Sequence, residues 1–218
     1  LPELASEADA KIVVEKIFTA FAEPVNIEGT EVFISASFGI SIYPNDGEDA
    51  ETLQKNADSA MYYAKESGQN QYYYFTPQLL AEEERRIKLI NLLRDALDRN
   101  EFSVVYLPVI DVENTQIVGA EALVRWQQTE MGFISPDEFI PMAERTRMIK
   151  PLTMWVLKEA FKDCAKWREQ GKELTISVNL SAKDLHDPEL PDLIAGVAVS
   201  TGIKPEWVIL EITEGSII

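Results

Sequence analysis

The chain has 218 residues, 46% of them hydrophobic and 26% charged, with a formal net charge of −17; this suits a soluble globular protein of one large or two small domains. Both stretches are acidic, with 4 basic against 13 acidic residues before Pro77 and 16 against 24 from it onward, which argues against a surface that tracks nucleic-acid phosphates. The single cysteine, Cys164, allows neither an intrachain disulfide nor a Cys-based zinc site, and the uncharged run of residues 32–45 is too short to span a membrane.

In chain order, Ser6-Glu7-Ala8-Asp9 reads as a helix start, followed at helical spacing by Ala10, Val13, Val14, Ile17, Phe18 and Phe21, with Pro24 ending the run. Residues 25–27 and 31–42 read as a hairpin around Glu28-Gly29. Pro44-Asn45-Asp46-Gly47 reads as a turn, and a helix is predicted over 50–66 with Gly68 just past its end. Residues 72–75 read as a short closing strand. The expected architecture for this part is helices packed on an antiparallel sheet.

Residues 77–100 read as one long helix, with Ile87, Ile90, Leu93 and Leu97 toward a core and Glu82–Arg86 and Glu84–Lys88 as ion pairs. It serves as connector and as entry to the next domain, so the expected division is 1–77, 78–100 and 101–218. Strands are predicted at 102–109 and 116–126. A helix opens at Ser135-Pro136-Asp137-Glu138, with Ser as N-cap, Pro at N1 and Glu at N3. A helix over 151–170 follows, then a strand at 174–180, a helix over 190–201 and a strand at 207–213. Such alternation implies a parallel sheet or a (β/α) barrel. A complete barrel takes about 250 residues, so this reading expects further strands beyond 218.

The chemistry is read from the two-residue period of the strands. In Gly119-Ala120-Glu121-Ala122-Leu123-Val124-Arg125-Trp126, Glu121, Leu123 and Arg125 share a face with Gly119. Thr175, Ser177 and Asn179 share one face of a later strand, and Trp207, Ile209, Glu211 and Thr213 share one face of the last. Three strands therefore carry an oxygen-bearing residue near the downstream end, where α/β folds bind ligands. Two carboxylates and an amide oxygen suit Mg²⁺, Mn²⁺ or Ca²⁺ rather than zinc. Arg125 could grip a phosphate, and a metal with a phosphate grip suggests phosphoester hydrolysis. The alternative is that Glu121, Asn179 and Glu211 are loop anchors or caps, since spacing does not make them meet in space. His186 reads as a surface turn residue and Cys164 as core. Tyr72-Tyr73-Tyr74 reads as a strand rather than a base-stacking platform.

Glu121-Ala122-Leu123, within GAEALVRW, resembles the signature of EAL domains, the bacterial cyclic-di-GMP phosphodiesterases, and the likeness extends through ISPDEFIPMAE, SVNLSAKDL and LEITEGS. The resemblance implies an incomplete TIM-like (β/α) barrel with an atypical strand direction near its start. It implies Glu121, Asn179 and Glu211 as ligands of Mg²⁺ or Mn²⁺, with Glu121 and Glu211 counted as catalytic. Leu123 and Arg125 would contact substrate, and Glu214 would anchor a loop over the site. The reaction implied is hydrolysis of cyclic di-GMP to linear pGpG. Upstream, SASFGISIYPNDG and ADSAMYYAKESGQN resemble the C-terminal half of a GGDEF diguanylate cyclase domain, a palm-like α+β fold. Lys65 would contact phosphate in an active cyclase.

Departures from these patterns temper the reading. No GGDEF signature is present, and Gln69 stands in place of a phosphate-contacting Arg. Leu107 replaces a substrate-contacting Gln in Tyr106-Leu107-Pro108; Arg147 and Gly215 also depart. The family's later Asp pair, Lys and Glu would lie beyond Ile218, so the 218 residues are expected to form an inactive fragment of an active phosphodiesterase. The competing readings are a non-catalytic cyclic-di-GMP receptor and a purely structural or dimerising module. The resemblance allows a homodimer and implies a cytoplasmic protein, with room for a membrane anchor upstream but no membrane contact within the chain.

Overall fold

In the computed structural model, residues 8–68 and 70–212 are described, and the chain divides into two units, Leu1–Ile87 and Lys88–Ile218. The expected cap at Ser6, the Gln69 departure, Glu214 and Gly215 lie outside the described residues. Among those residues no helix is long and apolar enough to cross a membrane.

The first unit begins with helix α1 (Ala8–Phe21), which buries Ala10 and Val14 from its predicted stripe. Strands β1 (Val25–Ile27) and β2 (Thr30–Val32) form the expected hairpin around Glu28 and Gly29. The second strand does not continue to residue 42. It breaks after Val32, and β3 (Ser37–Ile40) pairs instead with β4 (Gln71–Tyr74), in parallel. The sheet is therefore two separate pairs and not one antiparallel sheet. The reason is connectivity: helix α2 (Ala50–Glu66) lies between β3 and β4, and a strand–helix–strand crossover brings its strands together in parallel.

Helix α2 has the predicted bounds. Asp49 caps it, with Oδ1 accepting from the Thr52 amide at 2.8 Å and Oδ2 from the Thr52 hydroxyl at 2.7 Å. The backbone hydrogen bond first, and the hydroxyl second, hold the Asp49 carboxyl below its ordinary pKa. A depressed folded pKa means the cap's contribution is present above the ordinary carboxylate range and disappears as pH falls through the folded value. The Tm difference between the unsubstituted protein and Asp49→Ala is therefore expected to shrink toward zero in strong acid. Thermal melts across pH 2–7, on the order of the carboxylate titration range, check this. A difference independent of pH would refute the assignment.

β3 lies against α2 at Gly39. A Cβ there would fall 1.8 Å from the Ala57 carbonyl oxygen and 2.2 Å from the Met61 nitrogen. Only glycine allows so close an approach of strand to helix backbone.

Helix α3 (Pro77–Ala96) crosses the division between the units. It stops four residues earlier than expected, in a turn that ends with Asn100 at φ +54°. Its stripe is also rotated. Leu89, Leu93 and Ala96 are the fully buried set, Ile90 and Leu97 flank them, and Ile87 is half exposed. The spacing i, i+4, i+7 places 89, 93 and 96 on one line along the helix. Lys88 pairs with Glu130 at 3.0 Å, a contact that helix spacing could not anticipate.

The second unit is a sheet of five strands. β5 (Phe102–Ile110) and β6 (Ile117–Gln128) form an antiparallel hairpin, and short β7 (Gly132–Ile134) pairs back on β6. β8 (Thr175–Leu180) runs parallel to β6, and β9 (Val208–Ile212) parallel to β8. Helices α4 (Pro136–Arg145), α5 (Ile149–Glu169), α6 (Ala182–Leu185) and α7 (Leu190–Thr201) make the connections, with a 3₁₀ turn at Pro205–Trp207. β7 and α6 have no counterpart among the predicted elements. Ser135 occupies the N-cap of α4 and Pro136 follows it, but the Ser135 side chain makes no capping bond. Its backbone carbonyl instead accepts from the Glu138 and Phe139 amides.

The core lies between one face of the sheet and α5. Ala120, Ala122, Ile176 and Val178 meet Leu152, Val156, Ala160 and Cys164. Phe102 and Phe139 pack on Trp126, with ring centroids 5.5 and 5.6 Å away. Each fully buried side chain of this size contributes about 1.5–3 kcal/mol. The Trp126 Nε1–H donates to Glu101 Oε2 at 3.0 Å, so the buried indole leaves no unmet donor. Burial pushes the Cys164 thiol pKa up, in keeping with a core role.

Candidate functional site

The alternation of β6 sends Ala120 and Ala122 into the core and Glu121, Leu123 and Arg125 to the other face of the sheet. Register then decides what meets Glu121. Leu107 of β5 lies directly opposite it, and Ser177 of β8 lies beside it on the other flank. Asn179 is two residues further along β8, on the same face, and is paired in register with Glu211 of β9. The Asn179 Nδ2 donates to Glu121 Oε1 at 2.7 Å. Of the three residues proposed as metal ligands, two are thus in direct contact, and the third is the neighbour of one of them across the β8–β9 ladder.

Glu121, Leu123, Arg125 and Asn179 border a cavity of about 350 Å³ at the downstream ends of β6 and β8, whose lining also includes Ile140, Leu152 and Val156. The Arg125 Nη1 donates to the Val124 carbonyl at 2.9 Å. One of the five guanidinium donors is spent on its own strand, and the planar fork stays half-buried at the cavity. Leu107, the apolar departure in this region, is more than half exposed. The preceding Tyr106 turns to the opposite face, where its hydroxyl donates to Asp163 Oδ2 at 2.8 Å. Burial, and then that hydrogen bond, push its pKa well above the ordinary phenol value, so Tyr106 is structural.

The donor chemistry at Glu121, Asn179 and Glu211 fits a hard divalent cation: oxygen atoms only, no sulfur and no imidazole. The set is incomplete by itself. Among the described residues there is no cluster of three or more His, Cys, Asp or Glu side chains that could hold a metal. Two carboxylates and one amide leave room for waters or for further ligands, as Mg²⁺ requires.

Sequence reading missed the layer beneath this site. Ser181 and Asp184 form a reciprocal cap on α6, and Thr153 of α5 and Glu144 of α4 bond to them. The Ser-x-x-Asp spacing directly after a strand was the available signal. Among the other candidates, Lys65 sits in the last turn of α2 in the first unit. His186 is exposed at the end of α6 with Nδ1 2.8 Å from the Ala182 carbonyl, a turn residue as expected. Tyr72, Tyr73 and Tyr74 are in β4.

Residues 90–218 match the EAL domain family, and residues 1–71 match the diguanylate cyclase GGDEF domain. The chain is 37% identical over 217 residues to the bifunctional diguanylate cyclase/cyclic di-GMP phosphodiesterase MucR of Pseudomonas aeruginosa, covering 99% of this chain and 32% of that protein. It is 34% identical over 213 residues to the cyclic di-GMP phosphodiesterase PdeR of Escherichia coli, covering 98% and 32%. A solved MucR phosphodiesterase structure in complex with c-di-GMP superposes with a TM-score of 0.57 at 35% identity, covering 58% of this chain and 52% of that one. The chain spans about a third of the length of these two curated relatives.

Proposed function

The chain belongs to the EAL domain family, and we propose that the protein it represents hydrolyses cyclic di-GMP to linear pGpG in a reaction dependent on Mg²⁺ or Mn²⁺. The observation that carries this reading is the 2.7 Å contact between Glu121 and Asn179, with Glu211 paired to Asn179 on the next strand. Two relatives named as cyclic di-GMP phosphodiesterases support it. Glu121, Asn179 and Glu211 would hold the cation, which when bound supplies an activated water and offsets negative charge. Arg125 directs its remaining donors to a phosphate of the substrate, and Leu123 gives the base or sugar an apolar contact. The acidic chain repels a dianionic ligand, so Arg125 and the cation are what make binding favourable. On family likeness alone, Glu214 anchors a loop over the site and Lys65 is a remnant phosphate contact. The GGDEF part then acts as a regulatory or dimerising element, and the protein works in the cytoplasm.

Leu107 favours one other reading, a receptor that binds the nucleotide without turnover, because it sets an apolar side chain opposite Glu121. Incubating the natural full-length protein with cyclic di-GMP and Mn²⁺, and separating products by chromatography, distinguishes the two. Metal-dependent release of pGpG is expected. Binding by calorimetry with no product would establish the receptor reading, and no binding would defeat both.

A further inference from the structure

We propose that Thr153, Asp184, Ser181 and Glu144 are positioning residues that fix Asn179 against Glu121. The inference rests on the reading of Asn179 as a site residue. Asn179 stands two residues before the turn from β8 into α6, a helix of only four residues. So short a helix does not hold its own end in place. Here the end is held by a reciprocal cap, in which the Lys183 amide donates to Ser181 Oγ at 3.2 Å and the Ser181 amide to Asp184 Oδ2 at 3.2 Å.

That cap is tied in turn to two other helices. Thr153 Oγ1, on α5, donates to the same Asp184 Oδ2 at 2.7 Å. Ser181 Oγ donates to Glu144 Oε1, on α4, at 2.5 Å, and Lys183 Nζ donates to the Glu144 carbonyl at 2.9 Å. Asp184 is 3% exposed, Thr153 7% and Ser181 9%. A carboxylate buried to that degree is costly unless its bonds are made. The turn therefore has one low-energy position relative to α4 and α5, and Asn179 is carried by the strand that enters it. A short capping box needs only its two members. The additional donor on α5, Thr153, and the additional acceptor on α4, Glu144, are what register the end of β8 to the rest of the unit. Glu144, Thr153 and Ser181 also border the same cavity as Glu121 and Asn179.

The test compares Thr153→Val, which removes the donor at nearly constant volume, with Thr153→Ser, which keeps it. The first readout is the side-chain amide of Asn179 in selectively ¹⁵N-labelled, metal-free protein. Thr153→Val is expected to shift those resonances and speed their solvent exchange, and Thr153→Ser to restore them. The second readout is Mn²⁺ affinity, expected to fall about tenfold in Thr153→Val, as for other residues that orient ligands. In the full-length protein kcat should fall by a similar factor with KM little changed. Asp184→Asn, which keeps size and one acceptor, carries the same readouts if Thr153→Val does not fold. A lowered Tm with unmoved Asn179 signals and unchanged Mn²⁺ affinity would overturn the proposal, leaving the network a purely structural tie. Absence of hydrolysis in the unsubstituted protein would instead defeat the phosphodiesterase reading. The Asn179 amide readout needs neither metal nor nucleotide, so the two failures are separable.

Discussion

Replacing Glu121 by Gln is expected to lower cyclic-di-GMP turnover in the full-length protein by about 10³-fold or more, and to abolish tight Mn²⁺ binding. A neutral amide has the size of the carboxylate but withdraws one of two negative charges available to the cation among the strand-end residues. Charge stabilisation of this kind contributes several kcal/mol to the barrier, and about 4 kcal/mol corresponds to a thousandfold. Stability should change little. Glu121 is half-buried at the cavity rim, and the Asn179 amide that donates to it at 2.7 Å finds a carbonyl acceptor in the substituted residue. Steady-state kinetics with a parallel thermal melt checks both parts. An unchanged rate would remove Glu121 from the site and with it the hydrolase argument.

The second large effect is on the fold of the first unit. Gly39→Ala is expected to lower its stability by about 3 kcal/mol or more, at or above the upper end of overpacking costs. The reason is what the new methyl meets. Its nearest neighbours are the Ala57 carbonyl oxygen at 1.8 Å and the Met61 nitrogen at 2.2 Å, both backbone, so α2 must move as a whole. For a unit of this size that is a drop in Tm of more than about 10 °C. Gly196→Ala in α7 is the control: among the described residues, apart from its chain neighbours and the backbone of its own helix, no atom lies within 4 Å of its Cβ position. It should be neutral or stabilising by up to about 1 kcal/mol, as for glycine in a helix interior. Circular dichroism melts of both variants decide the matter, and a Tm for Gly39→Ala equal to that of the unsubstituted protein would refute the close-approach argument.

Most elements were legible because their signals are local. The turn at residues 44–47 and the glycine at 68 bracketed α2 close to its observed ends, and the two-residue period of β6 separated Ala120 and Ala122 from Glu121 and Arg125. The errors share a cause. Residues 31–42 alternate well enough for one strand, yet the chain breaks after Val32, because β3 finds its partner across a helical crossover. Ile87 satisfies a helical stripe as well as Leu89 does, and which of them is buried depends on what the helix packs against. The antiparallel β5–β6 hairpin was anticipated only through family likeness.

The candidate site divides along the same line. Alternation within each strand was sufficient to put Glu121, Asn179 and Glu211 on particular faces near particular ends, because a pleat is set by the residue's own backbone. Their meeting was beyond it. Whether Asn179 stands beside Glu121 or one step away depends on the ladder between β6 and β8, formed by residues more than fifty positions apart. The ties from Thr153 and Glu144 to the β8–α6 turn likewise join segments that no local pattern relates. Only the packed chain, in which hydrogen bonding and burial select one register from several with similar faces, brings Asn179 against Glu121.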